Sequence, residues 1–316
     1  MSNLSEAALR GDTEAMFRLS AAFAFGFEGM PMDANDAMHW LNKAAKAGHP
    51  TAGLVLQDIG QMVNVSGGKP QSSGRDLCLS SGDTKTIVLP GGAEMEMIYC
   101  APGSFIMGSP ENEFRRYDDE IQHKVTLTRG FWLGKYPVTQ AQWKSVMGSN
   151  PSLSNKGYNY PVDCVSWDDC NDFIEKINSQ SNLNARFPTE AEWEYACRAG
   201  SRGAYSGTGD LDEMGWYYDN RDGKTHPVGE KVSNGWGFYD MHGNVEEWCA
   251  DWYGSYPTKS VTDSKGPASG GKRVLRGGCY DIDAWHCRSA RRGSLGPAYS
   301  NSYLGFRLCC SAGSHE

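Results

Sequence analysis

Three regimes of apolar spacing follow one another along the chain. From residue 1 to 60, small and apolar residues recur at helical intervals. Ala8, Ala15, Leu19 and Ala22 fall on one face, and Ala37, Trp40, Leu41 and Ala44 on the next. Gly26 to Met32 supplies the turn between these helices, and Gly48-His49-Pro50 begins another. Residues 61–90 are polar and rich in Gly and Ser, which predicts a linker running into a first strand. From "TIVLPGGAEMEMIYCAPGSFIMGS" onward, apolar and polar residues alternate between Gly and Pro turns, the pattern of short strands. Two helices interrupt this body. Ser166 caps one, whose apolar face is Trp167, Cys170, Phe173, Ile174 and Ile177. In "PTEAEWEYACRAG", Thr189 is the N-cap of the other, Glu192 completes a capping box and Gly200 closes it. Trp193 and Tyr195 read as core; Glu190, Glu192 and Glu194 face water or bind Arg.

One stretch obeys neither period. Between "RVLRGG" (273–278) and "LGFR" (304–307), which read as strand and turn, residues 280–303 mix Tyr, Asp, Ile, His, Arg, Gly and Ser without order.

Composition narrows the function classes. A net charge of −8 with a pI near 5.4 offers no basic stripe for phosphates, so nucleic acid is not an expected partner. The 38 Gly and 10 Trp predict a loop-rich fold with many special turns. Ten cysteines show no Cys-x-x-Cys spacing and read as buried thiols, with one or two disulfides left open. No apolar run is long enough to span a bilayer, and no signal-peptide core follows Met1. The ligand, oligomeric state and compartment are not legible.

Seven ordered segments resemble the formylglycine-generating enzyme family: "PGSFIMGS" (102–109), "YPVTQAQWKSVM" (136–147), "PVDCVSWDDCNDF" (161–173), "RFPTEAEWEYACRAG" (186–200), "NGWGFYDMHGNVEEW" (234–248), "RVLRGG" and "LGFR". The resemblance implies an α+β fold over 91–316, an elaborated C-type lectin with a small twisted sheet, flanking helices and long loops. Residues 1–60 resemble a Sel-type, tetratricopeptide-like repeat, so a short α-helical repeat segment precedes the lectin-like domain. Such a unit buries its faces by stacking, and a lone one leans on the next domain or on a protein partner.

The resemblance also implies sites. Members that bind calcium do so at positions matching the Asp240 side chain, the Gly243 and Val245 carbonyls and the Glu247 carboxylate; oxygen donors suit Ca²⁺ as a structural ion. The family's oxidase holds copper through two cysteines five positions apart, and thiolates suit Cu(I). Here Ile282 occupies the first copper position, and Cys279 and Cys287 are eight apart. No copper is expected, and no Ser/His/Asp, phosphate-loop or His-cluster constellation stands out. The reading is of a protein that is not an enzyme.

The disordered-looking stretch resembles the variable region of another branch, the variable proteins of bacterial diversity-generating retroelements. Adenine-directed mutagenesis of an Asn codon there yields every residue type except Lys, Gln, Glu, Met and Trp; in 280–303 only Trp285 belongs to those five. Ala284, "CRSA" (287–290), Arg292, Pro297 and "LGFR" read as the frame of a region spanning about 279–307. The ligand-binding positions between them are Asp281, Ile282, Asp283, Trp285, His286, Arg291, Gly293, Ser294, Leu295, Gly296, Ala298, Tyr299, Asn301, Ser302 and Tyr303. Tyr, Trp and His give large amphipathic contacts and Ser, Asn and Gly adaptable ones, an antibody-like mixture. The partner implied is a variable protein or surface ligand. The alternatives are an oxidase of sulfatase cysteines and an adaptor that recruits through its helical repeat.

Overall fold

The computed structural model describes residues 12–25, 40–41, 43–52, 79–153 and 157–312. The chain divides into two compact units, residues 1–75 and 76–316. In the first, helix α1 (Thr13–Phe25) begins where Asp12 Oδ1 accepts the Ala15 amide at 3.0 Å. Ala15, Met16, Leu41, Ala44 and Ala52 pack into one small cluster, so Ala15, Leu41 and Ala44 lie inward as their spacing predicts. Of the Sel-type segment 1–60, residues 12–25, 40–41 and 43–52 are described, and the Gly26–Met32 turn and the start of the second helix lie outside the described residues.

The second unit is mixed α+β. Its largest sheet runs β1 (Thr84–Val88), β2 (Glu94–Cys100), β5 (Phe131–Gly134), β14 (Cys309–Ser311) and β6 (Ala185–Arg186), all antiparallel. The last strand of the chain therefore pairs in the middle of the sheet, which anchors the C-terminal segment from behind. A second sheet joins β3 (Gly103–Met107), β4 (His123–Leu127) and β10 (Val261–Thr262). A third has the order β12 (Gly293–Leu295), β11 (Arg273–Arg276), β9 (Glu246–Trp252), β13 (Leu304–Phe306). A short ladder pairs β7 (Gly215–Trp216) with β8 (His242–Gly243).

The two predicted helices form as α3 (Trp167–Gln180) and α4 (Glu190–Arg198), with capping boxes at Ser166/Asp169 and Thr189/Glu192. Two details differ. Helix α4 ends at Arg198, and Ala199 as well as Gly200 is left-handed, at φ 44° and 88°. A further helix, α2 (Gln140–Met147), fills "TQAQWKSVM", where Thr139 and Gln142 form a capping box whose Thr-x-x-Gln signature was in the sequence. A single turn, α5 (Leu211–Met214), precedes β7. The core of this unit gathers on Phe306, which receives Trp143 and Phe173 edge-on at 6.1 and 5.5 Å. Those two rings stack on each other at 5.1 Å.

Candidate functional site

The C-terminal segment is held by arginines that reach buried acids on other elements. Arg276, at the end of β11, pairs with Glu194 of α4, and its Nη1 donates to the Ala290 and Arg291 carbonyls at 2.9 and 2.6 Å. Arg288 donates to Glu113 and Glu120 at 2.6 and 2.7 Å, and its Nη2 to the Arg115 carbonyl at 2.9 Å. Arg292 donates to both oxygens of Glu190 at 2.7 and 2.9 Å. Arg307, just past β13, is paired with Glu247 at 2.9 Å and caps the Gly134, Lys135 and Tyr239 carbonyls. All four guanidinium groups are buried. Leaving any of these acids unpaired would strand a buried charge.

Groups outside the segment grip its backbone as well. Tyr218 N–H donates to Ile282 O, Tyr205 O–H to Ala284 O, His242 Nδ1 to Cys287 O at 2.7 Å, and Asp168 N–H to Pro297 O. Ser289 N–H donates to Ala204 O, and Cys164 N–H to Asn301 O. The entry turn is closed by Gly278 at φ 70°, where a Cβ would lie 2.7 Å from Cys287 Sγ and 2.8 Å from His286 O. These contacts use main-chain atoms, so they are indifferent to the side chains carried between them.

The side chains divide accordingly. Cys287, Arg288, Ser289, Ala290 and Arg292 are buried, as is Leu304 to Arg307. Of the ligand-binding positions read from the sequence, Asp281, Asp283, Ala298 and Tyr299 are exposed. Ile282, Trp285, His286, Arg291, Gly293, Ser294, Leu295, Gly296, Asn301, Ser302 and Tyr303 are half-buried, and none is buried. Ile282 leans on Leu211, Tyr217 and Cys287, and Leu295 on the main core. Gly293 differs from the rest, because a Cβ there would stand 2.4 Å from Glu246 Oε1 and 3.1 Å from Leu275 Cβ.

Contacts gather these residues into two groups. His286 lies between Trp285 and Tyr117, and its Nδ1 accepts from Arg291 at 3.2 Å. Arg291 stacks over Tyr117 at 4.4 Å, and Arg115 over Trp285 at 5.1 Å. On the other flank Asp281 pairs with Arg221, which covers Tyr218 and approaches Tyr280. Tyr280 O–H and Ser302 Oγ are 3.4 Å apart, and Asn301 donates to Tyr299 O–H at 3.3 Å. Phe114, Tyr117 and Tyr218 are the residues the sequence reading missed; they are 75, 39 and 52 % exposed. Their distance along the chain hid them, although Phe114-Arg115-Arg116-Tyr117 is an aromatic and basic run in a polar loop. Beneath this face sits Glu246, whose carboxyl is pushed up to about 7 by burial, with Arg291 pulling the other way.

The calcium set tests differently. Glu247 accepts Arg307 at both oxygens and the Trp193 indole N–H at 2.7 Å. Asp240 accepts the Gly229 amide at 2.8 Å and Asn244 at 3.3 Å. Gly243 N–H donates to Gly277 O, and Val245 packs in the interior. The Glu247 carboxylate is thus already met by a guanidinium and an indole N–H, with which an ion at this set would have to compete. The copper pair lacks its donors. Ile282 has no ligand atom, and burial pushes the Cys287 thiol well up, with Cys279 and Glu246 adding to the shift. Spacing along the chain had separated Cys279 from Cys287, yet the fold brings them within electrostatic reach. The nine described cysteines are free thiols, and all but Cys164 are buried.

The fold and the framed segment define a mixed α+β domain of the formylglycine-generating-enzyme type. Residues 88–312 match the sulfatase-modifying factor enzyme 1-like domain, and the chain belongs to that family. Treponema denticola variable protein 1 is 32% identical, with a TM-score of 0.67, over 72% of this chain and 99% of that one. The formylglycine-generating enzyme of Mus musculus is 35% identical over 209 residues, 60% of this chain and 53% of that protein. The chaperone protein LppX of Paenibacillus barcinonensis is 34% identical over 186 residues, 42% of this chain and 65% of that protein. The chain therefore spans between half and two-thirds of these two curated relatives. No helix among the described residues is long and apolar enough to cross a membrane.

Proposed function

We propose that this protein is a non-catalytic binding protein whose C-terminal segment displays diversified side chains to variable ligands. One observation carries the reading. The segment's backbone is fixed by main-chain contacts and buried Arg–acid pairs, while its fifteen candidate positions include no buried side chain. A surface built so can change its residues, Gly293 apart, without unfolding, the property a rewritable paratope needs. Resemblance to the Treponema variable protein at 32% identity supports it. Phe114, Tyr117 and Tyr218 supply a rim outside the diversified segment, rich in the aromatic groups that anchor interfaces.

The identity with formylglycine-generating enzymes favours a second reading, oxidation of a sulfatase cysteine. Ile282 in place of a thiolate weighs against it. The deciding experiment displays the full chain with Asp281, Asp283, His286, Ser294, Ala298 and Tyr299 randomised together. Most clones should stay folded, and selection should yield binders to unrelated protein targets. Collapse of the folded fraction would refute the reading, as would stoichiometric Cu(I) binding with conversion of a Cys-x-Pro-x-Arg peptide.

A further inference from the structure

Two arginines on the displayed face lie against aromatic rings but have no acid of their own. Arg115, in the loop between β3 and β4, is exposed, and its guanidinium is 5.5 Å from the Phe114 ring and 5.1 Å from that of Trp285. Arg291 is 4.4 Å from the Tyr117 ring and donates Nε to His286 at 3.2 Å. His286 lies between Trp285 and Tyr117, so a run of rings connects the two guanidinium groups. Neither arginine forms an ion pair among the described residues. No acceptor there reaches the Arg115 side chain or the Arg291 Nη atoms. A ring face attracts a cation but takes no ordinary hydrogen bond, so these N–H donors are left to water or to a ligand.

The backbone at Arg115 is unusual as well. Its φ is 58°, in the left-handed region, and Arg288 Nη2 holds it there by donating to the Arg115 carbonyl at 2.9 Å. Gly would take this conformation without strain, so an arginine here points to a use for the side chain. Arg202 is the contrast: it is exposed too, but no ring lies against it among the described residues.

The surrounding charges narrow the occupant. Glu113 and Glu120 are taken by Arg288, and Asp118 lies 3.8 Å from Arg116. Asp119 accepts the Tyr253 hydroxyl, and Asp281 is paired with Arg221. Glu111 and Asp283 are exposed, and Glu246 lies beneath the face; none of these three has a bonded cation among the described residues. Free acids therefore at least balance the two free arginines, and the flank has no positive field to draw a polyanion. What it offers acts at contact: guanidinium forks, which match a carboxylate with parallel N–H···O bonds, set beside aromatic area.

We propose that this flank binds protein segments that present an exposed carboxylate next to an apolar side chain. Arg115 is the fixed donor, outside the diversified segment, and Arg291 the donor particular to this version of it. The inference rests on the binding reading above. The test titrates the full chain with the peptide acetyl-Gly-Glu-Leu-Glu-Gly-amide, following the Trp285 indole and the Arg115 and Arg291 Nε–H signals by NMR. The same peptide with Gln for both Glu is the control. Saturation at millimolar acidic peptide is expected, with at least fivefold weaker binding of the Gln peptide. Arg115→Gln and Arg291→Gln should each weaken the acidic peptide at least threefold, and Arg202→Gln should not. Absence of saturation, equal affinity for the two peptides, binding unchanged in both variants, or the same loss in Arg202→Gln would overturn the proposal. Binders recovered from the randomised display alongside any of those results would leave the binding reading standing and remove only the carboxylate preference.

Discussion

Arg288 of the C-terminal segment lies between Glu113 and Glu120, and Glu120 also accepts the Ser109 hydroxyl at 2.7 Å. The same guanidinium bonds the Trp285 carbonyl at 3.0 Å and the Arg115 carbonyl. One buried cation therefore ties the displayed segment to the loop that carries Phe114 and Tyr117. Removing it strands two acids and unties the segment from that loop. Arg288→Met should cost about 3–5 kcal/mol, the range for breaking a buried pair from one side. Chemical denaturation checks this, and the same experiment on Arg221→Met, whose partner Asp281 is exposed, should give under about 1 kcal/mol.

The displayed positions should behave oppositely. Asp283→Ser, Ala298→His and Tyr299→Asp are each expected within about 0.5 kcal/mol of the parent. Gly293 is the informative contrast. Gly293→Val must push aside Glu246 and press on Leu275, so it should lose about 1–3 kcal/mol where Ser294→Val does not. Denaturation midpoints of the two variants, measured together, settle the comparison.

Stability should fall as pH rises from mildly acidic toward neutral. Burial raises Asp251 and Glu246 to about 7 and Asp240 to about 6. The folded state then holds protons that the unfolded chain has already released. Their contribution is complete below about pH 4 and is lost as pH passes through those raised values. Glu120 acts the other way. Burial alone would raise it, but hydrogen bonds from Arg288 and Ser109 outweigh that and lower it, so its contribution is lost in acid. Guanidinium denaturation between pH 4 and 8 should show the decline, and Asp251→Asn should flatten it.

Calcium should not support this domain. With Glu247 bonded to Arg307 and Trp193, millimolar Ca²⁺ or excess EDTA is expected to leave the melting temperature unchanged. A rise of several degrees with Ca²⁺ alone would show that the ion displaces the guanidinium.

The sequence by itself determined the elements whose information is local. Ser166, Thr189 and the apolar spacing of Cys170, Phe173, Ile174 and Ile177 placed two helices, because capping and amphipathicity act within a few residues. In the C-terminal segment the frame read from the sequence is buried at 287–290, Arg292 and 304–307, whereas Ala284 and Pro297 are half-buried like most of the positions between them. Helix α2 too was legible, in the capping pair Thr139 and Gln142. Only the tertiary structure decided which acid each arginine meets. Glu190 and Glu194 read as facing water or binding some Arg and Glu247 as a metal ligand, while Glu113 and Glu120 carry no sequence signal; the fold sets them against Arg288, Arg292, Arg276 and Arg307. Pairing across 60 to 175 residues leaves no periodic trace in the chain, because it depends on where loops cross rather than on what neighbours what. For the same reason the Phe114–Tyr117 rim exists only in three dimensions.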